Sequence, residues 1–103
     1  MRASVRQLEC LVATAKHLNF RAAARECHIS QPALSGQIAR LEAALGVPLF
    51  ERNRRRVLLT PVGEVVALRA KKILTDLDEI SAVAQVHAEP LGGQLRLGVI
   101  PTI

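Results

Sequence analysis

The chain has 103 residues with a hydrophobic share of 50% and an aromatic share of 2%, which predicts one small helical domain with an aliphatic core and an appendage. Its net charge of +5 is uneven: residues 1–63 carry ten Arg or Lys and four acids, and residues 64–103 carry four bases and five acids. A basic first part favours a polyanion as partner. With no apolar run near the roughly 20 residues of a membrane span and no signal peptide, we expect a cytoplasmic protein without a membrane partner.

The sequence gives little support to catalytic or metal chemistry. Cys10 and Cys27 lie on helical patterns beside apolar neighbours, without CxxC or Cys/His spacing. We therefore expect them to be reduced core residues. No carboxylate pair, Cys/His arrangement or Gly-rich phosphate loop occurs at a workable spacing, so the sequence predicts no enzyme and no cofactor.

Two helices are predicted at the start of the chain. Ser4 begins a capping box with Gln7, and apolar residues follow at helical spacing, which predicts a helix over residues 5–17 with Leu18 closing it into the core. Asn19 then caps a short second helix. The buried stripe predicted for it consists of Phe20, Ala23, Ala24 and Cys27.

A third helix, from Ser30 to Gly46, has two different faces. Its ends are marked by Ser30 as N-cap, Pro32 in the first turn and Gly46 as a left-handed C-terminal residue. One face is an apolar stripe of Leu34, Ile38, Leu41 and Leu45. The other face is small and polar, with Pro32, Ser35, Gly36, Ala39, Arg40 and Ala43. Because a solvated face normally carries long charged residues, this face is predicted to lie against another molecule.

Only three residues separate the second and third helices, which is the spacing of a helix-turn-helix. In that unit the second helix enters the DNA major groove with its N-terminal residues at the base edges. Gln31 can pair with adenine, Ser35 can bond to either strand, and Pro32 can contact a thymine methyl. Arg40 is better placed for phosphate, and Asn19 with the first amides of the second helix can hold another phosphate. The mid-helix Gly36 suggests a close backbone approach, although a relaxed surface glycine is the alternative.

Two short apolar runs around the polar segment 51–56 predict a hairpin with arginines at its tip. Such a wing suits phosphate contact or insertion into the minor groove, whereas the alternative is an ordinary solvated basic loop. The complete set of predicted DNA-contacting residues is Asn19, Arg21, Ser30, Gln31, Pro32, Ser35, Gly36, Arg40, Arg52, Arg54, Arg55 and Arg56.

Thr60 and Pro61 start a helical pattern that continues to about His87. Its heptad seam consists of Val66, Ala70, Ile73, Leu77, Ile80, Ala84 and His87. A rod of about 40 Å is too long for a small domain to cover, so the seam is predicted to pack on a second copy. A linker at 89–93 and a strand-like run at 94–100 follow. The predicted divisions are a DNA-binding domain at 1–60, a linker helix at 61–89, and a hinge with the first strand of a further domain at 90–103.

The sequence resembles the N-terminal part of LysR-type bacterial transcriptional regulators. The matching residues are Leu8, Leu11, Phe20 to Ala24, Ser30 to Ser35, Ile38, Leu41, Glu42, Leu45, Gly46, Leu49, Phe50, Arg52 and Leu59 to Gly63. The resemblance implies a mainly α fold: a winged helix-turn-helix followed by a long dimerising linker helix that pairs antiparallel between subunits. It also implies an effector domain after Gly93, tetramers that bind imperfect palindromes near promoters, and RNA polymerase as a partner. Family members use residues matching Gln31, Pro32, Ser35 and Arg52 at the DNA, whereas many have arginine at the position of Gly36.

Within the family, the segments 27–32, 34–38 and 97–102 are most similar to the peroxide-sensing OxyR branch. That similarity implies a regulator in which peroxide oxidises a cysteine pair of the effector domain, and no such sensor lies in these residues. One alternative is a LysR-type regulator that responds to a small organic inducer. Another, from a different class, is a coiled-coil interaction module whose basic part is incidental.

Overall fold

The computed structural model describes residues 2–52 and 56–88, without the Arg52 side chain. The described residues form a mainly α fold with one antiparallel strand pair, as the sequence predicts. The elements are α1 (Val5–His17), α2 (Phe20–Glu26), α3 (Gln31–Leu45), β1 (Phe50–Arg52), β2 (Val57–Leu59) and α4 (Pro61–Ala88). The predicted hinge and strand at 90–103 lie outside the described residues.

Side-chain caps define where the first three helices begin. The cap hydrogen bonds run from Gln7 N to Ser4 Oγ (3.1 Å), from Ala22 N to Asn19 Oδ1 (2.8 Å) and from Ala33 N to Ser30 Oγ (3.2 Å). The predicted capping box is complete, because Ser4 N also donates to Gln7 Oε1 at 3.1 Å. Gly46 ends α3 at φ 78°, a left-handed conformation that glycine adopts without a Cβ penalty.

The structure corrects the prediction that Leu18 enters the core. Leu18 has φ 50° and is 40% exposed. Its N–H donates to Thr14 O at 2.7 Å, so Leu18 serves as a left-handed C-cap of α1. His28, with φ 61°, likewise follows α2. These two conformations let short connections lead the chain from α1 into α2 and from α2 into α3.

The core lies between α1, α2 and α3, and the first half of α4 packs on α1. Its buried hydrophobic residues are Cys10, Leu11, Ala13, Ala23, Ala24, Cys27, Leu34, Ile38, Leu41, Leu49, Phe50 and Ala70. The alanines allow close helix approach, and the rings of Phe20 and Phe50 pack edge to face at 6.2 Å between centroids. Cys10 and Cys27 are buried free thiols, as predicted.

The long helix α4 has two parts with different surroundings. Gly63 and Ala70 are buried, so the compact unit extends beyond the strand pair into α4. Every residue from Thr75 to Ala88 is exposed, and α4 thereby projects from the body of a molecule measuring 54 × 25 × 18 Å. Among the described residues, no helix combines the length and apolar character that crossing a membrane requires.

Candidate nucleic-acid interface

The small face of α3 is open to solvent. Leu34, Ile38 and Leu41 are 0% exposed and anchor the opposite face in the core. On the outer side, the exposed residues include Gln31, Pro32, Ala33, Ala39, Arg40 and Ala43, while Ser35 and Gly36 are half-buried. The helix therefore presents a surface with little side-chain bulk at its N-terminal half, which a second molecule can approach closely.

Arg40 lies along α3 over Gly36. A Cβ built on Gly36 would lie 3.7 Å from both terminal nitrogens of Arg40, and these are its nearest neighbours. A long, exposed side chain thus provides the contact at Gly36, and the body of the protein does not. Because an arginine side chain changes rotamer readily, Arg40 can move onto a phosphate and uncover the glycine backbone.

The N-terminus of α3 supplies polar groups beside this face. Ser30 Oγ accepts the cap hydrogen bond from Ala33 N, which leaves the hydroxyl hydrogen as a donor. Gln31 and Pro32 are exposed in the first turn. The structure therefore brings Ser30, Gln31, Pro32, Ser35, Gly36 and Arg40 together on one side of one helix.

Two further predicted contacts lie at the start of α2. Asn19 and Arg21 are both exposed. Asn19 Oδ1 is occupied by the cap of α2, so its NH₂ group is the one with which it can approach a phosphate. Their side chains are available at the surface.

The predicted hairpin is present as the strand pair β1–β2. Phe50 pairs with Leu59, Glu51 with Leu58 and Arg52 with Val57. Arg56 is exposed just before β2. The Arg52 side chain and residues Arg54 and Arg55 lie outside the described part, so the arginine tip of the wing stays a prediction.

Glu42 connects α3 to the wing, a role that the sequence analysis missed. Its Oε2 accepts hydrogen bonds from Leu49 N at 2.7 Å and from Phe50 N at 3.2 Å. Hydrogen bonds to a carboxylate are stronger than neutral ones, so the start of β1 is held against α3. The signal available in the sequence was an acid placed between the apolar positions Leu41 and Leu45.

Thr60 and Gly63 fix the other end of the wing to α4. Thr60 Oγ1 donates to Pro48 O and accepts from Gly63 N, both at 2.9 Å, and Thr60 N donates to Leu49 O at 3.0 Å. Gly63 is buried beneath the Leu49 carbonyl, where no side chain fits. The wing is thus positioned from one side by the Glu42 carboxylate and from the other by Thr60 and the close approach of Gly63.

Polar contacts tie α1 to α2 away from this surface. The hydrogen bond to Glu9 raises the pKa of Arg6, which also donates to the Cys27 carbonyl. Hydrogen bonds from His17 and Lys16 lower the pKa of Glu26. In the core, burial and the neighbouring Cys27 raise the pKa of the Cys10 thiol to about 11, so it stays protonated at neutral pH.

The predicted seam of α4 divides into two parts. Val66 is half-buried against the core and Ala70 is 1% exposed, so Ala70 has almost no surface for a second copy. Ile73, Leu77 and Ile80 are 46%, 37% and 65% exposed, and Ala84 and His87 are also exposed. The first part of the seam therefore packs within its own chain, because α4 begins as a core helix.

The family model described as "Bacterial regulatory helix-turn-helix protein, lysR family" matches residues 5–64, which cover α1 through the start of α4. The chain belongs to this family. The LysR-family chain is 49% identical to a "Probable hydrogen peroxide-inducible genes activator" of Streptomyces viridosporus, over 97% of this chain and 32% of that protein. It is 45% identical to the "DNA-binding transcriptional dual regulator OxyR" of Escherichia coli K12, over 97% of this chain and 33% of that protein. It is 46% identical to the "HTH-type transcriptional regulator EstR" of Acinetobacter baylyi, over 97% of this chain and 33% of that protein.

Solved structures agree with this assignment. A full-length OxyR cysteine variant from Pseudomonas aeruginosa superposes with a TM-score of 0.79 at 40% identity, over 82% of this chain and 28% of that one. The BenM_DBD/benA site 1 DNA complex superposes with a TM-score of 0.80 at 36% identity, over 84% of this chain and 98% of that one. The predicted winged helix-turn-helix fold is thereby confirmed. The LysR-family chain spans about a third of the length of the curated relatives that it matches.

Proposed function

We propose that this chain is the DNA-binding part of a cytoplasmic transcriptional regulator that binds imperfectly palindromic promoter sites as a homodimer. The observation that carries the proposal is the open, small-residue face of α3. The solved BenM_DBD/benA site 1 DNA complex, similar over 84% of this chain, supports DNA as the ligand. The basic first part of the chain matches the charge of that ligand.

The residues divide by the part of the duplex that they contact. Gln31, Pro32 and Ser35 reach base edges in the major groove, and Gly36 allows the helix backbone to come close. The residues proposed to contact phosphate or the minor groove are Asn19, Arg21, Ser30, Arg40, Arg52, Arg54, Arg55 and Arg56. Base contacts then determine which sequence is chosen, whereas phosphate contacts determine affinity for any duplex.

Two substitutions on α3 test whether base contacts determine sequence preference and phosphate contacts determine affinity for any duplex. Gln31→Ala should lower the preference for operator over scrambled DNA by about 5-fold to 150-fold, because each bidentate base contact contributes about 1–3 kcal/mol of discrimination. Arg40→Gln should weaken binding to both duplexes equally and reduce the log–log salt slope by about 0.9. Mobility-shift titrations at several salt concentrations measure both quantities.

The control for this experiment is Lys71→Gln on the exposed side of α4, which removes the same charge away from the interface and should leave the salt slope unchanged. A wild-type slope near zero would exclude a phosphate-driven interface. In that case the competing interpretation, a protein-interaction module with an incidental basic surface, would be preferred.

The homodimer is proposed from the exposed half of α4. The segment Thr75 to Ala88 is too short to be more than marginally stable as an isolated helix in water. It also exposes the apolar residues Ile80, Val83 and Val86. A second copy would cover part of this surface. Tetramer formation and recruitment of RNA polymerase are proposed for the whole protein by resemblance to the family.

We further propose that the whole protein responds to peroxide, because several of its relatives are named as hydrogen peroxide-inducible activators. EstR, whose name specifies no peroxide response, is similarly identical at 46%, which favours a different inducer as the second candidate. Promoter occupancy of the full-length protein during a peroxide titration separates the two. Unchanged occupancy and unchanged transcription at every peroxide concentration would exclude peroxide as the inducer.

A further inference from the structure

The two cysteines of the chain lie next to each other between α1 and α2. Cys10 is in the middle of α1, and Cys27 is the C-cap of α2. Cys27 Sγ lies 4.0 Å from the carbonyl oxygen of Glu9, the residue before Cys10. Burial and, after it, the neighbouring Cys27 thiol raise the pKa of Cys10 to about 11. The fold therefore brings two thiols from different helices into contact.

The two thiols differ in their access to solvent. Cys10 is 0% exposed, whereas Cys27 is 7% exposed and lines an open pocket of about 290 Å³ together with Arg6, Glu9 and His28. A pocket of that volume admits a small solute, because one water molecule occupies about 30 Å³ in the liquid. A solute of that size can therefore reach Cys27 directly, and Cys10 offers it no surface.

Arg6 places hydrogen-bond donors in the same pocket. One of its terminal nitrogens donates to Glu9 Oε1 at 3.0 Å, and the other donates to the Cys27 carbonyl. These two contacts hold the guanidinium beside Cys27. A guanidinium has more N–H donors than these contacts use, so others can bind the oxygen atoms of a solute. Its positive charge also stabilises a hydroxide that leaves during a reaction at Cys27.

We propose that Cys10 and Cys27 form an oxidisable thiol pair within the helix-turn-helix domain, in which Cys27 reacts with hydrogen peroxide and Cys10 then closes a disulfide. The Cys27 sulfur attacks one peroxide oxygen, the O–O bond breaks, and Cys27 becomes a sulfenic acid as one water is released. The Cys10 sulfur then attacks the Cys27 sulfur, the S–O bond breaks, and the hydroxide leaves as water with the Cys10 proton. Two thiols are thereby oxidised to one disulfide, and the peroxide is reduced to two waters.

This site is separate from the peroxide response proposed above for the whole protein. It uses only residues of α1 and of the end of α2, so it acts in this chain without a further domain. It also changes the DNA-contacting unit directly, because Cys27 stands immediately before the turn that leads into α3. A regulator whose inducer is not a peroxide would carry it equally well.

The disulfide should weaken operator binding through the short connection between α2 and α3. Bonded sulfur atoms are about 2.05 Å apart, whereas non-bonded atoms in contact are about 3.5–4.0 Å apart, so the end of α2 must move by about 1.5 Å towards α1. Ile29 N donates to Ala24 O at 3.0 Å, and Ser30 caps α3, so the movement is passed on to α3. Operator affinity should fall by about 5-fold to 150-fold, the range expected for one lost base contact.

The test is a titration of the reduced whole chain with hydrogen peroxide, followed by peptide mass mapping without reductant. We expect a link between Cys10 and Cys27 within one chain, with a mass lower by about 2 Da that dithiothreitol restores. Cys10→Ala should stop at a Cys27 sulfenic acid, which dimedone traps. Cys27→Ala should leave the Cys10 thiol unmodified, because Cys10 is not exposed. Far-UV circular dichroism verifies that both variants are folded, and the wild-type result depends on neither of them.

Arg6→Gln should slow the oxidation, whereas Arg2→Gln, which removes the same charge from an exposed residue outside the pocket, should not. Thiols that stay reduced in the folded wild type, at peroxide concentrations that oxidise the denatured chain, would overturn the proposal. Disulfides formed only between chains would overturn it as well. Mobility-shift titrations then compare reduced, oxidised and dithiothreitol-treated chains on operator DNA. Equal affinity of all three would refute the effect on α3, and a reduced chain that binds no operator would instead refute the proposed DNA-binding function.

Discussion

Replacing Gly63 by alanine should destabilise the chain at the junction between the wing and α4. An ideal Cβ on Gly63 would lie 2.0 Å from Leu49 O, 2.9 Å from Leu49 C and 3.1 Å from Thr60 Oγ1. The backbone must therefore move by about 1 Å to relieve the contact, an overpacking that costs about 1–3 kcal/mol. That movement disturbs the hydrogen bonds of Thr60 N and Gly63 N, at about 1 kcal/mol each.

The gain in helix propensity from alanine, about 1 kcal/mol, offsets part of this loss. A net loss of about 3 kcal/mol corresponds to a melting temperature lower by roughly 12 °C or more. Thermal unfolding followed by far-UV circular dichroism, at one fixed protein concentration, measures the change.

Gly36→Ala is the matched control, since its Cβ would meet only the Arg40 guanidinium at an ordinary 3.7 Å. This variant should melt a few degrees higher than the wild type because the helix gains about 1 kcal/mol. If Gly63→Ala melted at or above the wild-type temperature, the close approach of Leu49 to Gly63 would be refuted.

Two further predictions concern Glu42 and Cys10. Glu42→Gln should cost about 1–2 kcal/mol of stability, because a charge-assisted acceptor of Leu49 N and Phe50 N becomes neutral. It should also weaken binding to operator and scrambled DNA alike in titrations, and a selective loss at the operator would contradict a role confined to the wing. Cys10, fully buried with its pKa raised to about 11, should resist iodoacetamide at pH 8 until denaturant is added. Mass spectrometry detects the adduct, and modification of the folded chain at the unfolded rate would contradict that burial.

Local signals in the sequence predicted the ends of the helices well. The caps Ser4, Asn19 and Ser30 act on backbone groups three residues away, and Gly46 supplies a left-handed turn at its own position. Such features depend on a few adjacent residues, so periodicity and capping rules identify them. The prediction that Leu18 enters the core was wrong. A leucine rarely adopts positive φ, and nothing in the neighbouring sequence marks this one as an exception.

Contacts between distant elements could not be predicted in the same way. The Glu42 hydrogen bonds depend on how the segment after Gly46 returns to α3. On α4, the heptad seam is buried at one end and exposed at the other, and periodicity alone does not indicate which part faces the core. The small face of α3 was visible in the sequence, but its exposure follows from the packing of Leu34, Ile38 and Leu41.

The continuity of α4 has a mechanical consequence. One unbroken helix anchors its first half in the core at Ala70 and extends its second half to Ala88. It acts as a lever of about 27 Å, so that a tilt of about 10° at the anchor would displace the far end by about 5 Å. Any force applied at the far end would therefore reach α3 as a rotation of the compact unit formed by α1, α2, α3 and the strand pair.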